Sequence, residues 1–314
     1  MSVATADGRP VYLYGPRYVL GEIESQHTDI VGLRTRAEEL RLQIDADLWG
    51  WGTFHRTERD VEQLAIDAGA ASLRAAQVDA SSVDALFVCS TRVPGRSEDH
   101  GRFMQRVITG IGLGDVPVYG QILNRCTNLL VALGLAAALA AVGRYRRILC
   151  ITTDRVADEA ERLSAFALYS DGAAACVVSA EDDDVVDGYR LVACDSVQDT
   201  VTLDGGNQIS ADLARALNDR LLQTRGLKLG DVSGLMHNNL FKPLVVMKER
   251  QAGFAQEQLY LDNIPRIGHC FAADPLINLA DRAAAGELRA DHHYILASSV
   301  PGARVGALVQ KLDR

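Results

Sequence analysis

Asn124-Arg125-Cys126-Thr127-Asn128 stands between residues 116–123, which read as a β-strand, and residues 129–142, an almost wholly apolar run of 14 residues. A strand that turns straight into a buried helix is the unit of an α/β sheet. The turn sets Cys126 at the N-terminus of that helix. Free backbone N–H groups and the helix dipole stabilise a thiolate there, and a thiolate so placed attacks thioesters. The same position also suits one more small buried residue ahead of a helix, so the local sequence leaves both roles open.

Outward from this stretch, strands and helices alternate. Residues 11–14, 84–90, 147–153 and 174–179 read as strands, and 102–111 as a helix. Residues 60–76 have helical spacing at Val61, Leu64, Ala65, Ala68 and Leu73. Beyond them, 189–195, 234–237, 294–298 and 305–311 read as strands, and 211–224, 240–253 and 275–285 as helices. This alternation predicts a mostly parallel sheet with helices on its faces. The acidic run Glu181-Asp182-Asp183-Asp184 is the sharpest break in composition and reads as a solvated loop between two halves, 1–180 and 181–314. Both halves close alike, in a Gly/Ala-rich turn running into a strand: Asp171-Gly172-Ala173-Ala174 in the first, Pro301-Gly302-Ala303-Arg304 in the second.

Composition narrows the function. The net charge of −9 argues against a nucleic-acid partner, because phosphate binding needs a basic surface. The 14-residue apolar run is too short for a bilayer. The opening MSVATADGRP has neither the basic nor the apolar block of a signal peptide, so a cytoplasmic protein is expected. Six cysteines at 89, 126, 150, 176, 194 and 270 show no CxxC spacing, and no metal or nucleotide motif stands out.

Two further segments bear on chemistry. In Gly234-Leu235-Met236-His237-Asn238-Asn239 an apolar strand runs into a histidine, and strand C-termini are where open α/β folds place their sites. His237 is positioned to give a proton or hydrogen bond to a carbonyl, or to be a satisfied core histidine. In Gly268-His269-Cys270-Phe271-Ala272-Ala273-Asp274-Pro275 a second histidine precedes a helix, with Asp274 reading as its N-cap. His292-His293, His27, His55 and His100 lack neighbours that suggest a site.

In order and spacing these motifs resemble β-ketoacyl-acyl-carrier-protein synthase III and its acyltransferase relatives in the thiolase superfamily. The likeness runs from about Arg56 to the C-terminus. It is best at Tyr169-Ser170-Asp171-Gly172-Ala173-Ala174-Ala175 and good over residues 60–90. The resemblance implies a five-layered αβαβα fold of two similar halves, a homodimer, and Cys126 receiving an acyl group from coenzyme A or an acyl carrier protein, with no tightly bound cofactor. His237 matches the family's second-half histidine. His269 stands where synthase III enzymes usually carry asparagine and elongating ketoacyl synthases carry histidine. Both would line the thioester carbonyl.

Three departures stand out. The family's Ala-Cys-Ala/Ser-Gly is here Arg125-Cys126-Thr127-Asn128, and Arg125 would stabilise the thiolate, bind an acidic substrate or point away. The family's triple-glycine turn, source of an oxyanion-hole N–H, is here Ser298-Ser299-Val300-Pro301-Gly302, and proline has no N–H, so the hole is rebuilt or weaker. The first fifty residues, which in the family help shape the coenzyme A entrance, match poorly; Trp49 and Trp51 near there would cover an adenine or pantetheine arm or, more simply, pack in the core. The catalytic set expected is Cys126, His237 and His269, with Arg125, Asn239, Trp51 and Gly302 contacting substrate. The reaction expected is decarboxylative condensation with a malonyl thioester, in fatty-acid or polyketide-type secondary metabolism. O- or N-acyl transfer, a non-catalytic partner subunit and a thioesterase are the alternatives. A carrier protein would dock on Arg144, Arg146 and Arg147.

Overall fold

The computed structural model describes residues 3–4, 9–93, 95–204, 210–223 and 225–314. The first half runs β1 (Val3–Ala4), β2 (Tyr12–Leu20), β3 (Ile23–Gln26), α1 (Leu33–Glu39), α2 (Ala46–Trp49), β4 (Thr53–Arg56), α3 (Val61–Ala75), β5 (Ala85–Cys89), α4 (Ser97–Ile111), β6 (Val118–Gln121), α5 (Asn128–Ala141), β7 (Arg147–Asp154) and β8 (Gly172–Ser179). The second runs β9 (Gly188–Gln198), α6 (Ala211–Gln223), β10 (Val232–Met236), α7 (Lys242–Gln251), α8 (Asn263–Ile267), α9 (Asp274–Ala284), β11 (His293–Val300) and β12 (Ala303–Lys311). Thr224, expected to end a helix, lies outside the described residues. β2 runs past Gly15-Pro16, where the sequence suggests a stop, because a register shift between Tyr14 and Arg17 absorbs those two residues as a bulge.

The strands join in the order β10-β11-β12-β9-β2-β8-β7-β5-β6. Within this sheet the two halves repeat one pattern. β5 is parallel to β7, β7 antiparallel to β8, and β8 antiparallel to β2. Likewise β10 is parallel to β11, β11 antiparallel to β12, and β12 antiparallel to β9. The place β6 takes beside β5 is marked in the second half by a single parallel bridge, Leu235 to Leu259. We propose the division near residue 180 as a duplication boundary on the strength of this repeat. The expectation of a mostly parallel sheet is corrected: the sheet is mixed. β8 and β12 each follow the preceding strand without an α-helical crossover, and such connections join antiparallel neighbours.

Side-chain alternation along the strands builds three cores. Leu86, Val88, Leu149, Ile151, Ala173 and Ala175 pack under α3 and α4. Phe87, Cys150, Cys176, Leu296 and Ala307 face α5 and α9. Ile295, Ala297 and Leu308 face α6. The two ends of the one sheet thus lie on either side of α5 and α9, and the layers run helix, half-sheet, helix, half-sheet, helix. α5 sits in the middle, and alanines at 132, 136, 137 and 140 let the half-sheets approach it closely. Each fully buried leucine on it contributes about 1.5–3 kcal/mol. Cys126 precedes α5, His237 follows β10, and β11 ends beside them, so the layering gathers several strand ends at one place.

Candidate active site

Cys126 occupies a single 3-10 turn, Arg125–Thr127, immediately before α5. The turn is held on every side. Asn124 N donates to Asn128 Oδ1 (3.0 Å), Asn128 Nδ2 to Ser90 O (2.9 Å), and Thr127 Oγ1 to Asn124 O (2.8 Å). From the second half, Ser298 Oγ donates to the Cys126 carbonyl at 2.7 Å. Arg125 adopts φ 55°, the left-handed region, which costs a non-glycine residue about 1–3 kcal/mol. Its guanidinium Nη2 donates to Pro301 O at 2.7 Å. Cys126 is partly exposed to a cavity of about 440 Å³ whose wall includes Arg125, Tyr169, His269, Phe271, Ser299 and Pro301.

His269 reaches this cavity from the loop between α8 and α9. Gly268 precedes it at φ 75°, where an added Cβ would meet Leu168 O at 2.7 Å, so only glycine lets the loop lie this close. The close approach makes backbone bonds: His269 N donates to Leu168 O (2.8 Å) and Ser170 N to His269 O (2.9 Å). The Tyr169-Ser170-Asp171-Gly172 phrase thus fixes the histidine's main chain. The His269 Nδ1 bonds the Asp274 carboxylate, which also accepts from Cys270 N and Asn239 N, both at 2.7 Å. Burial pushes the imidazole's pKa down, but the charges of Asp274 and Cys126 outweigh it and push it up to about 10. With Nδ1 on the carboxylate, Nε2 is left for the cavity that His269 and Cys126 both line. Thiol and imidazole therefore share one cavity, with the Asp274 carboxylate bonded behind the ring. Tyr169 and Phe271 flank it, with ring centroids 4.8 Å apart.

Residues 121–194 match the family described as 3-oxoacyl-[acyl-carrier-protein] synthase III. ChlB3, described as an acyltransferase, is similar over 96% of this chain and 98% of its own, with 18% identity and a TM-score of 0.82. FabH from Pseudomonas aeruginosa PAO1, a 3-oxoacyl-(acyl carrier protein) synthase III, is similar over 98% and 99%, with 20% identity and a TM-score of 0.77. OleA from Xanthomonas campestris, solved with lauric acid and lauroyl-CoA, is similar over 96% and 99%, with 15% identity and a TM-score of 0.81. No curated protein matches the chain by sequence. The fold is that of these synthase III and acyltransferase structures.

On this synthase III fold the expected site residues divide. Cys126, His269 and Arg125 line the cavity. His237 is buried just past β10 and does not line it; its Nδ1 bonds Asn238 O at 2.6 Å, and its Nε2 has no partner among the described residues. Burial holds His237 below the usual histidine range. Asn239 spends its N–H on Asp274 and its Oδ1 on Asn278 Nδ2 (3.0 Å), so it braces the carboxylate from within the core. Trp51 is buried against Trp49 and Phe241, with centroids at 6.4 and 5.7 Å, in a core cluster away from the cavity. Gly302 takes φ 71° in the turn between β11 and β12, where a Cβ would meet Leu203 Cα at 2.6 Å, so it serves the turn. The N-cap reading of Asp274 is corrected. Ala273 holds the cap position, and the carboxylate turns back to His269 instead. A spacing of five residues from a loop histidine was the only sequence signal for that role. Among the described residues no group of three His, Cys, Asp or Glu is placed to hold a metal ion, and no helix is long and apolar enough to cross a membrane.

Proposed function

We propose that this chain is an acyltransferase that carries an acyl group on Cys126 and passes it to a hydroxyl or amine acceptor, with His269 and Asp274 handling the proton. The single observation behind this reading is Cys126 and His269 on one cavity wall, with Asp274 bonded behind the imidazole, while His237 lies outside that wall. The sequence slightly favours condensation because two histidines are present; the geometry favours transfer because one of them stands with a carboxylate at its back. In the first step Cys126 Sγ attacks the thioester carbonyl, the old C–S bond breaks, and the leaving sulfur takes the proton from His269 Nε2. The thiolate charge that helped hold that proton is then gone. In the second step neutral His269 takes the acceptor's proton as its oxygen or nitrogen attacks the acyl carbon. The Cys126 C–S bond breaks, the thiolate returns, and the imidazolium is restored beside it. Asp274 keeps the ring oriented throughout.

The thioester arm has a route to the cavity. A second cavity of about 360 Å³ shares Thr91, Phe166, Tyr169 and Phe271 with the first and carries Arg36, Arg92 and Arg155. Three cations at a mouth suit the phosphates of coenzyme A or of a carrier protein's pantetheine arm. Of the docking cluster expected at Arg144, Arg146 and Arg147, Arg144 lies over the Tyr145 ring and the other two face acids. Arg147 pairs with Glu181 and with Asp183 (3.0 Å), and Arg146 lies 3.8 Å from Glu181, so the acidic run neutralises them.

Condensation remains the second reading, on one observation: among the described residues the Nε2 of buried His237 has no partner, so it is left to act as a donor or acceptor. Intact mass after incubation with a panel of acyl-coenzyme A thioesters tests the common step. A mass gain of one acyl group is expected in wild type and none in Cys126→Ala; equal gains in both would remove the proposal. Adding malonyl-coenzyme A, or small alcohols and amines, then separates a carbon–carbon product from an ester or amide.

A further inference from the structure

Three charged side chains are buried behind the cavity wall, and the acyl-transfer steps above do not use them. Arg304 is 1% exposed, Lys248 5% and Glu249 0%. Arg304 grips Glu249 with two bonds, Nη1 to Oε1 at 2.8 Å and Nη2 to Oε2 at 3.0 Å. Lys248 Nζ lies 2.9 Å from the same Oε1. Two cations thus share one carboxylate, and the cluster keeps a net positive charge out of contact with water. Its outlet is Ser299, near the end of β11. The Ser299 Oγ accepts from Arg304 Nη1 at 2.9 Å and from Lys248 Nζ at 3.2 Å. A hydroxyl has two acceptor lone pairs and one donor hydrogen. Both lone pairs face cations, so the hydrogen is turned away from them, and no acceptor for it occurs among the described residues. Ser299 itself lines the Cys126 cavity.

The neighbouring residues tie this hydroxyl to the reacting centre. Ser298 Oγ bonds the Cys126 carbonyl at 2.7 Å, so β11 abuts the cysteine turn one residue before Ser299. Asn238 Oδ1 accepts from Ser299 N at 2.7 Å, which fixes the strand end. Two residues on stands Pro301, which has no N–H to offer a developing oxyanion. Burial pulls the Lys248 ammonium down to about 8, leaving it mostly charged at neutral pH. A hydroxyl backed by two desolvated cations is a strong hydrogen-bond donor, and the excess positive charge behind it favours an anion in front.

We propose that Ser299, polarised by Lys248 and Arg304, donates its hydroxyl hydrogen to the carbonyl oxygen that becomes an oxyanion when Cys126 is acylated. A side-chain donor thereby takes up work to which Pro301 brings no N–H. When Cys126 Sγ bonds the carbonyl carbon, the C=O π pair moves to oxygen. The hydroxyl binds that oxygen until the pair returns and the leaving group departs. This inference rests on Cys126 as the acyl carrier.

The test compares two reactions of the same thiol in the whole protein. Acylation by p-nitrophenyl butyrate, followed as the nitrophenolate burst, passes through an oxyanion; alkylation by iodoacetamide does not. Ser299→Ala is expected to slow the burst about 100-fold, the usual effect of removing one oxyanion donor, and to leave alkylation within about twofold. Ser299→Thr, which keeps the hydroxyl, restores most of the burst. Equal bursts in wild type and Ser299→Ala would overturn the donor role alone. Parallel loss of burst and alkylation would reduce Ser299 to a structural residue. A burst absent from wild type as well would overturn both the donor and Cys126 as acyl carrier.

Discussion

Asp274 decides how His269 behaves. Replacing it by asparagine keeps the shape and removes the charge that holds the imidazole proton. Alkylation of Cys126 at pH 7 is expected to fall about tenfold in Asp274→Asn, because a tenfold change is only about 1.4 kcal/mol of lost ion-pair support. The His269 pKa lies above its ordinary 6.5, at about 10, so the charged ring adds stability that is complete below about pH 6.5 and is lost as pH rises through about 10. Urea denaturation of wild type should therefore show a decline between those limits that His269→Gln lacks; identical slopes would refute the assigned charge. Cys126 and His269 were legible because each precedes a helix entrance in a recognisable phrase. Asp274 was not, since aspartate before proline reads equally well as a cap. Ser299 was hidden further: its partners lie at 248 and 304, and Lys248-Glu249 inside a helix reads as a solvated face.

Elements were read well where side-chain period and turn residues agreed. α3 and β5 lie within a residue or two of expectation because apolar spacing dictates both. The direction of β8 was not legible, because an apolar strand looks the same run either way; only its neighbours define it. The Tyr169-Ser170-Asp171-Gly172 phrase at its start is a structural knot as well as a motif. Asp171 pairs with buried Arg162 at 2.7 Å and accepts from Thr57 N (2.9 Å) and Val156 N (2.8 Å). Asp171→Ala leaves a buried guanidinium without its main-chain-anchored partner and should cost about 3–5 kcal/mol in chemical denaturation. A loss under 1 kcal/mol would mean that Glu159 alone satisfies Arg162.

At the scale of the molecule, we propose that two copies of the chain pair. β6 is the sheet's edge strand, and beside it Tyr119, Ile122 and Leu123 are 37%, 42% and 90% exposed. An edge with apolar side chains invites a second strand. Light scattering should give twice the 33.9 kDa chain mass, and Ile122→Lys with Leu123→Lys should halve it; an unchanged mass would place the interface elsewhere. One feature of the layout reaches beyond the finished molecule. Cys126 comes from the first half, whereas His269, with Asp274 behind it, comes from the second and is pinned through its main chain to Leu168 and Ser170. Neither half alone holds a paired thiol and imidazole. Under the proposed mechanism, a chain still emerging from the ribosome, or one half melted, would have no means of squandering thioesters: assembly itself would be the safety catch.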